Sequence, residues 1–410
     1  MPHGTMATDR MVGIDYDRMR KYRLDRMKKE MEKNGVGTLV TWDEYTIRYI
    51  CGGYVTIPLR WAKSQLVVLP RNGDPYLYMC TSFSPYAMQE EMPWVNGKVF
   101  PTILGLKSVD SPANIDKFMA EIMPIIAEHG LLSERVALDG CCKEPLFIDG
   151  FKRNGIKEVI DGQTMCINAR VIKNEDEIAC MRMATRLAEA AFDAITRAIR
   201  PGVRECELVG IGMERLYALG ADECQEFVCA SGPRTNPMHI DFTDRIIGPG
   251  ELVAVDINGC SYNGYKACYY RTFCCGKATN EMKETYEECR AMLYEGMKGI
   301  KAGNTMADIC TGWPKSPQYW GYNDWREVGG YALGHGLGLC LHDGPRMFMP
   351  GWLQYYNDTL EEGMTIAVET WTGKRGGNFG VRIEEEVLVT KDGYELLTHY
   401  PVDTLIECGI

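Results

Sequence analysis

Five side chains of metal-ligating type are spread over the second half of this 410-residue chain. Asp256 ends the run Leu-Val-Ala-Val-Asp256, and Cys268 lies in Tyr-Lys-Ala-Cys268-Tyr-Tyr-Arg-Thr-Phe. His335 stands between glycines in Gly-His335-Gly-Leu-Gly, Glu369 in Ala-Val-Glu369-Thr, and Glu384 in Arg-Ile-Glu384-Glu-Glu. Apolar runs of this length read as buried strands. A buried ionisable group needs a partner or an ion. These runs place the five side chains on or beside strands of an α/β (α+β) chain.

Strand parity sharpens the expectation. Side chains alternate faces with period two. Asp256 and Asn258 share a face, as do Cys268 and Tyr270. If strands over 252–258 and 265–273 pair, Asp256 and Cys268 face one pocket. Glu369 and Trp371 share a face on a strand over 365–371, and Glu384 lies on another over 380–390. His335 is followed by Gly336, which lets other backbone approach closely.

Bulk properties exclude several partners. Hydrophobic residues make up 45% and charged residues 25% of the chain, which suits a protein with a large core. The formal charge of −11 disfavours nucleic acid and anionic membrane, both of which need a basic face. No run of 18 apolar residues exists, so no membrane span is expected. The opening Met1–Arg10 lacks the apolar core of a signal peptide, which leaves the cytoplasm as the expected compartment. Seventeen cysteines fit buried free thiols better than a disulfide scaffold, because a chain this long has a core of its own.

Along the chain, Tyr16–Asn34 reads as a helix, and Thr38–Trp42, Gln65–Pro70 and Pro75–Met79 as strands. Arg71-Asn-Gly-Asp is the turn of a hairpin. Ala113–His129 is a helix and Arg135–Leu138 a strand. The first part thus alternates strand and helix. A new unit begins near residue 166, which divides the chain into 1–165 and 166–410. Ile178, Met181, Ala184, Ala188, Ala191, Ile195 and Ile199 form one helical stripe that ends at Pro201-Gly202. A second long helix is expected over Asn280–Lys301.

The ordered set Asp256, Cys268, His335, Glu369 and Glu384 resembles the Asp, Asp, His, Glu, Glu metal set of the creatinase, aminopeptidase P and methionine aminopeptidase family, with a cysteine in the second place. Ala230-Ser-Gly-Pro-Arg-Thr-Asn-Pro237, His335-Gly-Leu-Gly-Leu-Cys340 and Gly376-Gly-Asn-Phe resemble the dimethylsulfoniopropionate lyase branch. Arg234-Thr235-Asn236-Pro237-Met238-His239 resembles the frame in which creatinase carries its acid/base histidine. The resemblance implies a creatinase-like N-terminal domain, a C-terminal pita-bread catalytic domain and a homodimer. It makes Asp256, Cys268, His335, Glu369 and Glu384 the metal positions. The branch's Asp-x-Asp is here Asp256-Ile-Asn258, and its catalytic acid falls on Leu341, with His342 and Asp343 next to it.

A thiol cannot bridge two hard cations as a carboxylate does. The expectation is therefore one divalent ion (zinc, iron or manganese) or none, and not a dinuclear site. Without a metal pair, ordinary peptidase action is disfavoured. Glu369 and Glu384 then become anchors for a small cationic substrate; the plainer alternative pairs them with Arg382 or Arg271. His239 is the acid/base candidate, because imidazole exchanges protons near neutrality. Tyr270 and Trp371 are expected to face the substrate by parity, joined by Arg234, His342 and Asp343. Aromatic side chains at Trp61, Trp313, Tyr319–Trp325 and Trp352–Tyr356 would serve either as a cation cage or as loop packing. The leading expectation is creatinase-type hydrolytic C–N cleavage, with Glu369 and Glu384 holding the cation and His239 moving the proton. Metal-assisted β-elimination from a sulfonium or betaine-like compound is the alternative. A surviving Xaa-Pro dipeptidase-like metallopeptidase and an inactive binding protein remain open.

Overall fold

The computed structural model describes residues 13–53, 64–80, 85–102, 111–141, 144–328, 333–346, 349–353 and 357–409. The reading of Met1–Arg10 and the aromatic positions Trp61, Tyr355, Tyr356 and the ring of Trp352 lie outside what is described.

The chain divides into a unit of residues 1–170 and a unit of residues 171–410. In the first, six strands form one sheet: β1 (Val36–Thr41), β2 (Gln65–Pro70), β3 (Tyr76–Cys80), β4 (Val99–Thr102), β5 (Arg135–Asp139) and β6 (Val159–Asp161), in the order β4-β3-β2-β1-β5-β6. The hairpin at Arg71–Asp74 joins β2 to β3, as its Asn-Gly turn predicts. Helix α1 (Tyr16–Lys33) is capped by Asp15, and α2 (Glu44–Cys51) by Asp43. Behind the pleat, α3 (Pro112–Glu128) and α4 (Glu144–Arg153) bury Ile115, Phe118, Ile122, Phe147 and Phe151 against Val40, Leu66, Val68 and Val136. The division falls five residues beyond the expected 165/166. Helix α5 (Gln163–Arg170) packs on α1 and belongs to the first unit, where Ala169 O accepts from Tyr49 Oη at 2.7 Å.

The second unit carries two four-stranded sheets. One runs β16-β11-β8-β7, from β7 (Glu226–Ser231), β8 (Glu251–Asn258), β11 (Tyr270–Cys275) and β16 (Ile406–Cys408). The other runs β12-β13-β14-β15, from β12 (Gly334–Gly336), β13 (Thr365–Thr372), β14 (Val381–Val389) and β15 (Tyr394–Leu396). Hairpin β9 (Cys260–Tyr262) and β10 (Tyr265–Ala267) stands apart. Helix α6 (Glu175–Ala198) opens with a capping box from Asn174 and Glu177, and its predicted stripe is buried. Helix α7 (Glu205–Ala218) packs on β7. Helix α8 (Asn280–Met297) ends four residues before the expected Lys301. Gly296 and Gly299 there press against the backbone of Gly312 and Asp308, and a Cβ on Gly299 would stand 2.4 Å from Asp308 O, so the chain turns tightly instead of continuing.

The expected strand over 265–273 is broken at Cys268 and Tyr269. Residues 265–267 pair with the 260–262 hairpin arm, and 270–275 pair with β8. Tyr270, rather than Cys268, stands opposite Asp256. At the break the amides no longer serve a ladder. Cys268 N donates to Glu386 Oε1 (2.6 Å), Tyr269 N to Asp256 Oδ1 (3.3 Å) and Tyr270 N to Glu384 Oε2 (3.1 Å). Three buried acids thus take the donors that a regular strand would have used.

The sheets are tied together where β11 meets β14. Thr272 Oγ1 donates to Arg382 O (2.8 Å), and the buried Arg271 reaches both oxygens of Glu385 (3.0 and 3.1 Å) and the carbonyl of Glu384.

Candidate functional site

The strands bring the five predicted positions to one buried place. Asp256, Cys268, His335, Glu369 and Glu384 are each less than 5% exposed. Cys268, His335 and Glu384 form a tighter group, with one donor atom from each within 4.8 Å of the others. Glu369 and Glu384 face each other across β13 and β14. Glu369 is held aside by Arg382, whose Nε donates to Oε2 at 2.9 Å and whose Nη2 binds the same oxygen. The plainer reading of Glu369, a structural pair with Arg382, is therefore present here. Arg271 pairs with Glu385 and not with Glu384.

His335 is set by its glycines. The backbone of Gly344 and Pro345 runs so close to Gly336 that a Cβ there would lie 2.2 Å from the carbonyl of Gly344. His335 Nδ1 lies 3.0 Å from Gly336 O, so the tautomer carries its hydrogen on Nδ1 and leaves Nε2 as an acceptor. Nε2 stands 3.8 Å from Glu384 Oε1. Burial lowers the His335 pKa to about 4, and His342 adds to the effect, so the ring is neutral at physiological pH.

The acids are pushed the other way. Burial raises the Asp256 and Glu384 carboxyls well above the usual range, and the charge of Glu369 raises both further. Burial likewise raises the Cys268 thiol. Asp256 Oδ2, Glu384 Oε1 and Glu386 Oε2 are buried without a hydrogen-bond partner. Orphan carboxylate oxygens of this kind are costly unless a cation or a polar ligand completes them. Cys268 Sγ donates to Asn258 Oδ1 at 2.7 Å, and Asn258 Nδ2 donates to Glu226 Oε2 at 3.2 Å.

The other predicted residues separate into two groups. His342 and Asp343 come to the cluster. The His342 ring meets His335 edge-on, with centroids 4.4 Å apart, while keeping an exposed side. Asp343 is buried and pairs through its backbone with Gly336. Tyr270 and Trp371 are buried. Tyr270 packs with Val228, Ala230, Met238 and Ala254 beneath the Arg382 guanidinium, and Trp371 stacks on Trp320 at 5.7 Å. Parity placed these rings on the acidic side, but neighbouring side chains already fill that space.

The Arg-Thr-Asn frame does structural work. Arg234 pairs with Asp241 and lies 3.4 Å from the buried Glu205, Thr235 Oγ1 donates to Gly232 O, and Asn236 Nδ2 donates to Lys374 O and Gly377 O. Arg234 is thus paired with carboxylates. His239 is exposed, and among the described residues no hydrogen bond or ion pair joins its ring to the cluster.

Sequence reasoning missed Glu386, and Glu226 with the cavity it lines. Glu386 carried a signal, since it shares a strand face with Glu384. The cavity, of about 530 Å³, is lined by Val209, Met213, Phe227, Ile240 and Phe242 with Glu226 at its wall. Its loop residues Ile240 and Phe242 follow β7 by about ten positions but carry no pattern that points to a cavity.

Comparison with known proteins agrees with this architecture. The model of metallopeptidase family M24 matches residues 179–391, and that of the creatinase/prolidase N-terminal domain matches residues 23–172. The dimethylsulfoniopropionate lyase DddP of Roseovarius nubinhibens is 27% identical over 98% of this chain and 90% of its own. The Xaa-Pro dipeptidase of Pyrococcus furiosus is 30% identical over 65% of this chain and 74% of its own. Among solved structures, the Xaa-Pro dipeptidase from Bacillus anthracis superposes with a TM-score of 0.73 at 24% identity, covering 94% of this chain and 99% of that one. The dipeptidase PepE from Mycobacterium ulcerans reaches a TM-score of 0.75 at 20% identity, covering 97% and 100%. A mixed α/β chain with a creatinase-type N-terminal domain, a pita-bread domain and its acidic cluster on the two facing sheets, this protein belongs to metallopeptidase family M24.

Proposed function

We propose that this chain is a non-peptidase member of its family that acts on a small organic cation, by β-elimination from a sulfonium or betaine-like compound. The observation that carries the reading is the buried pair Asp256 and Glu384, each with an oxygen lacking a partner, beside a thiol where a bridging carboxylate would be needed. Carboxylates crowded in a low-dielectric pocket favour a cation between them. Peptide attack by a metal-pair water needs two ions held by shared oxygen ligands, and Cys268 and Asn258 offer no anionic oxygen. Likeness to a lyase over nearly the whole chain, against a dipeptidase match over 65% of it, supports the same choice.

The donor set fits one divalent ion, held by Cys268, His335 and Glu384, because sulfur, imidazole nitrogen and an orphan carboxylate oxygen converge. Such an ion would supply Lewis-acid polarisation of a substrate oxygen. The chain's own residues do the rest. Glu226 and the apolar wall of Phe227, Ile240 and Phe242 receive the methylated cationic end. Arg382 pairs with Glu369 and holds it in place. An imidazole nitrogen of His342 takes the proton from carbon. The C–H electron pair becomes the new C=C bond, the C–S bond breaks, and a neutral sulfide leaves with that bond's electrons. His342 then returns the proton to water. By the same resemblance we propose that the working unit is a homodimer.

A second reading, creatinase-type C–N hydrolysis with His239 as acid/base, is favoured by the tight loop that the Arg-Thr-Asn frame builds around an unencumbered His239 ring. The leaving group separates the two. Incubation with dimethylsulfoniopropionate and other sulfonium carboxylates, with methylated guanidines and with Xaa-Pro dipeptides should release a volatile sulfide and an alkene from the first group alone. Release of an amine or urea instead would favour the second reading, and proline release would overturn both.

A further inference from the structure

We infer that Cys268 converts the site from one for hard ions into a mononuclear site for a thiophilic ion such as Zn²⁺ or Co²⁺, with Cys268 Sγ, His335 Nε2 and a Glu384 oxygen as its protein ligands. Four independent features meet here. The three donor atoms lie within 4.8 Å of one another, all on buried side chains. Zinc bonds of about 2.0 Å to nitrogen and about 2.3 Å to sulfur place neighbouring donors roughly 3.3–3.5 Å apart, so modest side-chain rotation closes the group on an ion.

The imidazole is already in its ligating tautomer. Its Nδ1 hydrogen is spent on Gly336 O, and its Nε2 lone pair looks toward Glu384 Oε1 across 3.8 Å, beyond hydrogen-bond reach. That gap is unfavourable when nothing bridges it. Glu384 Oε1 and Asp256 Oδ2 are buried in the same interior without a hydrogen-bond partner. Asn258 Oδ1 fixes the Cys268 side chain by accepting its S–H, and Asn258 is itself held by Glu226.

The donor chemistry sets the preference. A set of thiolate, imidazole and carboxylate favours zinc and its neighbours, whereas manganese, magnesium and calcium favour oxygen ligands. A second ion lacks a bridge, because the thiol stands where an anionic oxygen would be shared and Asn258 is neutral. On binding, the Sγ–H bond breaks, a metal–sulfur bond forms and the proton passes to buffer.

The test uses the full chain after removal of metal with a chelator. Co²⁺ titration should produce a sulfur-to-cobalt charge-transfer absorption that saturates at one equivalent, and elemental analysis after gel filtration should find one Zn²⁺ per chain. Mn²⁺ should fail to displace either ion. Cys268→Ser should lose the absorption and bind Zn²⁺ roughly 100-fold or more weakly. The other cysteines remain in that variant and control for stray thiol binding. Cys268→Asp should shift the preference toward Mn²⁺. Bound Co²⁺ without the charge-transfer band, two equivalents of any ion, equal Zn²⁺ affinity in Cys268→Ser, or no retained metal would each overturn the inference. If Cys268→Ser fails to fold, the band and stoichiometry of the unaltered chain still decide it. None of these readouts depends on turnover, so failure of the lyase reading leaves the metal result standing.

Discussion

Cys268 and His342 show how much one position decides. A carboxylate at 268 would extend the oxygen cage. The thiol instead bonds to Asn258 and places sulfur beside imidazole nitrogen. His342 is the proton carrier in the elimination reading because its ring contacts His335 yet keeps one side toward solvent. His342→Ala should therefore lower kcat by roughly 10²–10⁴, with far-ultraviolet circular dichroism unchanged. In steady-state assays His239→Ala should leave kcat nearly intact, and loss with His239→Ala but not with His342→Ala would move the reaction to C–N hydrolysis. Of the residues legible in sequence, all five ligand-type positions are buried, and Cys268, His335 and Glu384 bring donor atoms within 4.8 Å of one another. For Tyr270 and Trp371 parity gave the face but not the side chains that pack against the rings.

At the level of elements, the seam between β11 and β14 rests on a buried ion pair. Arg271 gives Nη2 to both oxygens of Glu385, and Tyr294 Oη donates to the same carboxylate. Removing one partner strands a buried charge. Arg271→Met should cost roughly 3–5 kcal/mol in denaturant unfolding, whereas Arg271→Met combined with Glu385→Leu should recover much of that loss. The start of β8 depends on Glu251, which accepts from Gly248 N (2.7 Å) and from Arg245 Nη1 (2.7 Å). The hydrogen-bonded Arg245 holds Glu251 below the usual carboxylate range. Its stabilisation is thus present above the unfolded carboxyl pKa and is lost as pH falls through the lower folded value. Glu251→Gln should cost roughly 1–3 kcal/mol at pH 7, and the deficit should vanish in acid, as read by thermal melts across pH. Most strands and long helices here were readable from period and caps. The break at Cys268–Tyr269 was not, because three acids remote in sequence draw off its amide hydrogens.

For the whole molecule, an ion that binds only the folded chain stabilises it by mass action, by about 2.7 kcal/mol at a hundredfold excess over Kd. Zn²⁺ should therefore raise the Tm of chelator-treated protein in scanning calorimetry. Chelation alone should leave secondary structure in place, because large apolar clusters support each unit without the ion. Light scattering should report twice the chain mass, and a monomer under assay conditions would remove the homodimer proposal. Among the described residues no helix is long and apolar enough to cross a membrane.

The order of apolar runs, turns and caps determined on its own a two-part α/β chain with an acidic interior in its second half, because burial and period are properties of local sequence. Which of those acids are paired and which are left unsatisfied was decided only in three dimensions. Arg382 claims Glu369, the amides of the broken strand claim one oxygen each of Asp256 and Glu384, and Asp256 Oδ2 and Glu384 Oε1 are left without a hydrogen-bond partner. Pairing is a matter of distance across sheets, and residues thirteen to more than a hundred positions apart meet only when the sheets close.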